Sequence, residues 1–173
     1  MRRLITAAVL TSGLAFGGVS VMAQSHGDKA FLEKSSQGNV TEVELSKLAL
    51  RKTSNPDIRA FADKMIHDHT MLGDKMAPFL AQAGLKPSIS LDTLHQHLYN
   101  KLKGLSGTAF DKEFVLAMDK DHHEDLKDFQ KEVTATQDAA LKSTVSEGEQ
   151  VIAQHTEMID GLSRKLGVTP AGA

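Results

Sequence analysis

Phe61-Ala62-Asp63-Lys64-Met65-Ile66-His67-Asp68-His69 decides the reading of this chain, because its skeleton returns fifty-three positions later as Phe114-Val115-Leu116-Ala117-Met118-Asp119-Lys120-Asp121-His122. Both copies read Phe-x3-Met-x2-Asp-His. Phe, Met and His at i, i+4 and i+8 advance about 400° each time at roughly 100° per residue, so the three share one helical stripe. The histidine of each copy therefore points where the apolar residues point. A buried imidazole needs a partner for each ring nitrogen. Two such histidines on matched helices are expected to face each other.

Outward from these copies the chain divides into helices. Asp28 is placed to cap a first helix, and Phe31, Ser35, Asn39, Glu42, Leu45 and Ala49 carry it to about Thr53. Ser54-Asn55-Pro56-Asp57 is a start signal, with Asn55 as N-cap, Pro56 at the first helical position and Asp57 against the helix dipole. The second helix runs to about Ala83, where Gly84 ends it. From Leu85 to Thr108 Pro87, three serines and two glycines loosen the pattern. Leu91, Leu94, Leu98 and Leu102 keep helical spacing there, so a crossover containing a short helix is expected. A third long helix begins near Ala109 and fades at Thr134. A fourth opens at Asp138 and stops at Gly167, with Gly148 a candidate bend. Four helices of about 26 residues, each about 40 Å long, with a long middle connection, predict an all-α, ferritin-like four-helix bundle, with an up-down bundle carrying a decorated loop as the alternative topology.

The first residues read as an address. Arg2 and Arg3 precede an apolar run from Leu4 to Val21, and Val21-Met22-Ala23 is a small-x-small cleavage site, so residues 1–23 are expected to be a cleaved signal peptide and residues 24–173 the domain. Export implies the periplasm, with no membrane span left after cleavage. There is no cysteine, which excludes disulfides, thiolate metal sites and a thioether lipid anchor. Removing Arg2 and Arg3 leaves eighteen Lys and Arg against twenty-two Asp and Glu, a net of minus four with the signs interspersed. Nothing in that pattern points to nucleic acid.

The polar residues that interrupt the apolar stripes are the candidate site. Glu42, His69, His122 and His155 each fall near the middle of one long helix, and the mid-points of equal helices coincide whichever way each helix runs. Three imidazoles and a carboxylate in one layer suit a single Zn, Fe, Cu or Mn ion. The competing expectation is a metal-free layer in which the four groups hydrogen-bond one another and fix helix register. His67, His95, His97 and His123 lie among polar neighbours or in the crossover and are expected to be solvated. Asp68 and Asp121 precede the paired histidines by about 100° of helical turn. They cannot share a metal face with them, but can orient an imidazole on a neighbouring helix or serve as surface acids. Met65, Met118 and Met158, one turn from the three histidines, offer a copper variant against ordinary core filling. The expected mature terminus Gln24-Ser25-His26 offers a separate square-planar Cu(II) or Ni(II) site.

The segments Glu42-Val43-Glu44-Leu45 with Leu48-Ala49, Phe61-Ala62 to Met65 with Asp68-His69, Leu105-Ser106-Gly107 with Phe110-Asp111, Asp121-His122 and the late His155 complete a wider pattern. The chain resembles the exported bacterial ferritin-like family known as domain of unknown function 4142, and the resemblance spans nearly all of the expected mature chain. It implies a ferritin-like fold and export, and brings no established activity. Di-iron members of the wider ferritin-like group carry Glu-x-x-His on their metal helices. Here Ile66 stands three residues before His69 and Asp119 three before His122, which argues against a bridged iron pair.

The sequence thus predicts a periplasmic helical protein holding one transition-metal ion for metal handling or stress protection, a binding protein in preference to an enzyme. Its rivals are a single-metal oxidoreductase and a metal-free envelope protein.

Overall fold

The computed structural model describes residues 25–169, so the expected signal peptide lies outside the described residues. Among these residues there are five helices and no strand: α1 His26–Lys52, α2 Pro56–Gln82, α3 Thr93–Lys103, α4 Gly107–Ala135 and α5 Ala139–Leu166.

The boundaries follow local chemistry. The α1 cap is Ser25, three residues before the Asp28 expected from sequence. Ser25 Oγ accepts from the Asp28 N–H, and the Asp28 carboxylate accepts from the Ser25 N–H in a reciprocal capping box. Asn55 caps α2 ahead of Pro56, and Asp138 caps α5, as the sequence predicts. Gly167 closes α5 at φ 63, a left-handed position that other residues adopt only with strain. The short crossover helix α3 starts on Asp92 and buries Leu102 completely, while Leu94 is left exposed.

Contacts fix the arrangement. α1 packs on α2 and α4, and α5 packs on α4 and α2, so each long helix has two long neighbours. The apolar side chains form two clusters. One joins Leu45, Leu48 and Ala49 of α1 to Phe61 and Met65 of α2, Phe110, Phe114 and Met118 of α4, and Ile159 of α5. The other joins Phe31 and Leu32 of α1 to Leu72 and Leu80 of α2, Phe129 of α4, and Leu141 and Ile152 of α5. The late part of α1 therefore meets the early parts of α2 and α4 and the late part of α5. This places α1 and α5 in one direction and α2 and α4 in the other. Because α2 and α4 run parallel, the crossover must travel the length of the molecule, which is why it needs more than a tight turn.

α5 runs unbroken through Gly148, the candidate bend. A Cβ there would lie 2.6 Å from Phe129 Cε1 and 3.0 Å from Leu72 Cδ1, so the missing side chain lets three helices close together.

Candidate metal centre

The four candidate residues come one from each long helix, and they lie in sequence between the two apolar clusters: Glu42 on α1, His69 on α2, His122 on α4 and His155 on α5. All four are buried to within 1% of complete. The imidazole centroids stand 5.9 Å (His69–His122), 5.2 Å (His69–His155) and 5.6 Å (His122–His155) apart. The three histidines converge, and Glu42 stands beside two of them, with Oε2 2.9 Å from His69 Nδ1 and Oε1 3.3 Å from His122 Nε2, though it is not in the group of ligand atoms that lie within 4.8 Å of one another.

Hydrogen bonds fix which nitrogen of each ring carries the proton. His122 Nδ1 lies 2.8 Å from the Met118 carbonyl oxygen, which can only accept, so Nδ1–H donates and Nε2 keeps its lone pair. His155 Nε2 lies 2.8 Å from Asp68 Oδ2 and donates to it, leaving Nδ1 bare. Although burial pushes the Asp68 carboxyl up, its hydrogen bonds from Lys64 and His155 prevail and hold it below the usual carboxylate range. His69 Nδ1 donates to Asn39 Oδ1 at 3.3 Å; Glu42 Oε2 is nearer but off the line of that N–H. This leaves His69 Nε2, His122 Nε2 and His155 Nδ1 buried with no hydrogen-bond partner, together with both Glu42 oxygens. One nitrogen from each ring lies within 4.8 Å of the other two.

Burial dominates the electrostatics. It holds all three imidazoles down to about pKa 4, so each is neutral at pH 7, and it pushes Glu42 up to about 8 against the opposing pull of His122. Neutral imidazoles that have already committed their outer nitrogen to an acceptor are the form in which histidine binds a metal. The histidines can hold a metal ion by their ring nitrogens, and ligand atoms at 2.0–2.1 Å from a tetrahedral ion stand about 3.3 Å apart.

A cavity of about 170 Å³ reaches Glu42 and His69 between α1, α2 and the crossover. Its wall is mostly apolar, with Leu72, Met76 and Phe129, and Asp125 stands on it. Burial, followed by the charges of Glu42 and Asp121, pushes the Asp125 carboxyl up to about 9.

The remaining sequence-predicted residues divide. Asp68 orients the imidazole of a neighbouring helix, one of the two roles expected for it, whereas the structure gives Asp121 no hydrogen bond to an imidazole of the layer. His67 and His97 are exposed, and half-buried His95 pairs with Asp92 at 2.8 Å. His123 departs from the expectation of a solvated residue: it is half-buried between Asp119 and Asp160, acids four positions before it and on the next helix. Met65 and Met118 are core residues, but Met158 is 36% exposed, which removes the three-methionine copper variant. Gln24 lies outside the described residues, and the Ser25 amide that a terminal copper site would need is engaged in the α1 cap. Sequence reading missed Asn39, the partner of His69 Nδ1. It sits one turn before Val43 and close to Gly73, whose absent Cβ would fall 2.8 Å from the Asn39 amide nitrogen. The signal was a small residue on α2 opposite a polar one on α1, visible only once the helices are paired.

No curated protein matches the chain. Among solved structures it is similar to a DUF305 fragment from Deinococcus radiodurans, with a TM-score of 0.69 over 84% of this chain and 99% of that one, at 14% identity. Likeness at that identity shows a shared fold alone. The model of the family described as domain of unknown function DUF4142 matches residues 18–162, and the chain belongs to that family.

Proposed function

We propose that this is an exported, periplasmic protein of ferritin-like four-helix architecture that binds one transition-metal ion through His69, His122 and His155, with Glu42 as fourth ligand, for metal handling or stress protection. The antiparallel pairs α1/α2 and α4/α5 joined by a lengthwise crossover support the ferritin-like reading. One observation carries the metal reading: three buried histidines from three helices each keep a ring nitrogen without a hydrogen-bond partner, and one nitrogen of each ring lies within 4.8 Å of the other two. Leaving one such atom unsatisfied costs about 1–3 kcal/mol. A protonated Glu42 can donate to one imidazole and leaves two bare, whereas a cation satisfies all three. The N3O donor set suits Zn, Fe, Cu or Mn.

Elemental analysis of the mature protein, purified from the periplasm without an affinity His-tag and repeated on His69→Ala, tests the proposal. About one tightly held metal per chain, surviving dialysis, is expected in the first and a sharp fall in that tightly held metal in the second. Wild-type protein that retains no metal after reconstitution and dialysis refutes it.

The cavity beside Glu42 and His69 favours a second reading, a single-metal oxidoreductase, since a small substrate needs a route to an exchangeable coordination position. Turnover of peroxide or superoxide by the metal-loaded protein, absent from His69→Ala, separates this reading from simple storage.

A further inference from the structure

A second group of ligand-type side chains lies where α4 meets α5, and it shares no residue with the central layer. Asp119 and His123 stand one turn apart on α4, and Asp160 faces them from α5. His123 Nε2 is 3.0 Å from Asp160 Oδ1 and 3.7 Å from Asp119 Oδ1, and one ligand atom of each residue lies within 4.8 Å of the other two. Asp119 is 1% exposed, and its second oxygen accepts from the buried Ser163 hydroxyl at 2.5 Å, so the carboxylate is held from behind. The His123 and Asp160 side chains are 19% and 27% exposed, which opens one side of the group to water.

We propose that Asp119, His123 and Asp160 form a second, water-accessible site for a divalent cation of borderline to hard character, such as Zn2+ or Mn2+. Ligands about 2.1 Å from an octahedral ion and at right angles stand about 3.0 Å apart. At tetrahedral angles the figure is about 3.3 Å. The two separations to His123 Nε2 bracket these values, and one oxygen of each carboxylate lies within 4.8 Å of the other. An ion pair needs one carboxylate on an imidazolium. Here two converge on the same nitrogen, and one of them is buried and anchored. Two carboxylates and a neutral imidazole balance a dication, and its remaining positions go to water. On binding, the ion takes the Nε2 lone pair, and the proton that Nε2 donates to Asp160 leaves to solvent or is replaced by the Nδ1–H tautomer. The donor set is oxygen-rich where the central layer is nitrogen-rich, so the two sites differ in metal preference.

The test is calorimetric titration of tag-free, metal-stripped mature protein with Zn2+, with Co2+ visible absorption as a second readout. Wild type is expected to bind two equivalents. Asp160→Asn and His123→Gln, partly exposed positions that leave the core intact, should each lose one equivalent, with helicity and the intense Co2+ band of a tetrahedral nitrogen site unchanged. His69→Ala should lose the other equivalent and keep this one, so failure of the central site is read separately. Two outcomes overturn the proposal: Asp160→Asn and His123→Gln retain the wild-type stoichiometry and affinity, or the wild type binds a single equivalent that His69→Ala abolishes.

Discussion

Replacing His122 by Leu separates a metal site from a structural polar layer by the sign of one stability change. In the metal-free protein His122 makes one hydrogen bond, from Nδ1 to the Met118 carbonyl, and buries a bare Nε2 3.3 Å from Glu42 Oε1. The bond contributes about 1 kcal/mol and the bare nitrogen costs about 1–3 kcal/mol. Leucine removes both and is at home beside Phe61, whose ring centroid lies 6.0 Å from that of His122. His122→Leu is therefore expected to leave the chelated protein unchanged or up to about 2 kcal/mol more stable. The loaded protein behaves oppositely. An ion present at a thousand times its Kd stabilises by about 4 kcal/mol, which for a chain of this size raises Tm by about 8–16 °C. In the variant that increment should be lost, leaving only what the separate Asp119–His123–Asp160 group contributes. Urea and thermal unfolding followed by far-UV circular dichroism, with chelator and with Zn2+, measure all four states. If the layer instead closes through a Glu42–His122 hydrogen bond, the chelated variant loses about 1–3 kcal/mol from an abandoned buried acid. Such a loss, together with no difference between chelated and loaded wild type, refutes the reasoning.

Three further outcomes follow from other parts of the molecule. Asp68→Asn replaces the carboxylate that fixes His155 and should weaken metal affinity about 10–100-fold, with the fold intact; competition against a chromogenic chelator reads this, and an unchanged Kd contradicts the orienting role. Gly148→Ala puts a Cβ 2.6 Å from Phe129 and should cost about 1–3 kcal/mol, visible as a lower urea midpoint; a neutral effect means α4 and α5 can separate freely. Glu132, far from the histidine layer, is pushed up to about 7 by burial and by its hydrogen bond to Asp28. For Asp28 itself the hydrogen bonds from Ser25, Glu132 and Thr136 outweigh burial and hold it low, so protonated Glu132 is the donor of that pair. A folded pKa above the unfolded value of about 4.3 gives stability that is complete below that value and is lost as pH rises through about 7. Glu132→Gln keeps a donor and does not titrate, so its stability should fall less than that of wild type between pH 5 and pH 7. Parallel curves for the two proteins contradict this assignment.

Local signals along the chain were enough to place the helices and the histidine layer. Asn55-Pro56, Asp138 and Gly167 are local backbone signals, and they end or begin helices in the structure where they stand. The Phe-x3-Met-x2-Asp-His copies put His69 and His122 on apolar stripes, and helical periodicity alone then demands that they point inward. Placing Glu42, His69, His122 and His155 at one height needed only equal helix lengths. Capping was less legible at α1, because Ser25 and Asp28 are both good caps and only the reciprocal bond between them shows which residue stands outside the helix.

Tertiary structure decided everything that depends on which helix lies beside which. Asp68 meets His155 across 87 positions and Asn39 meets His69 across 30, and no spacing rule connects either pair. Those partners set two of the tautomers and the Met118 carbonyl of α4 itself sets the third, and together they leave three bare lone pairs. Likewise His123 looks like a solvated surface residue on α4 until α5 brings Asp160 to it. Periodicity fixes the face of a helix on which a side chain stands. The group it meets there depends on the rotation and height of the neighbouring helix, and these are set by the packing of the whole core, down to a Cβ missing at Gly148.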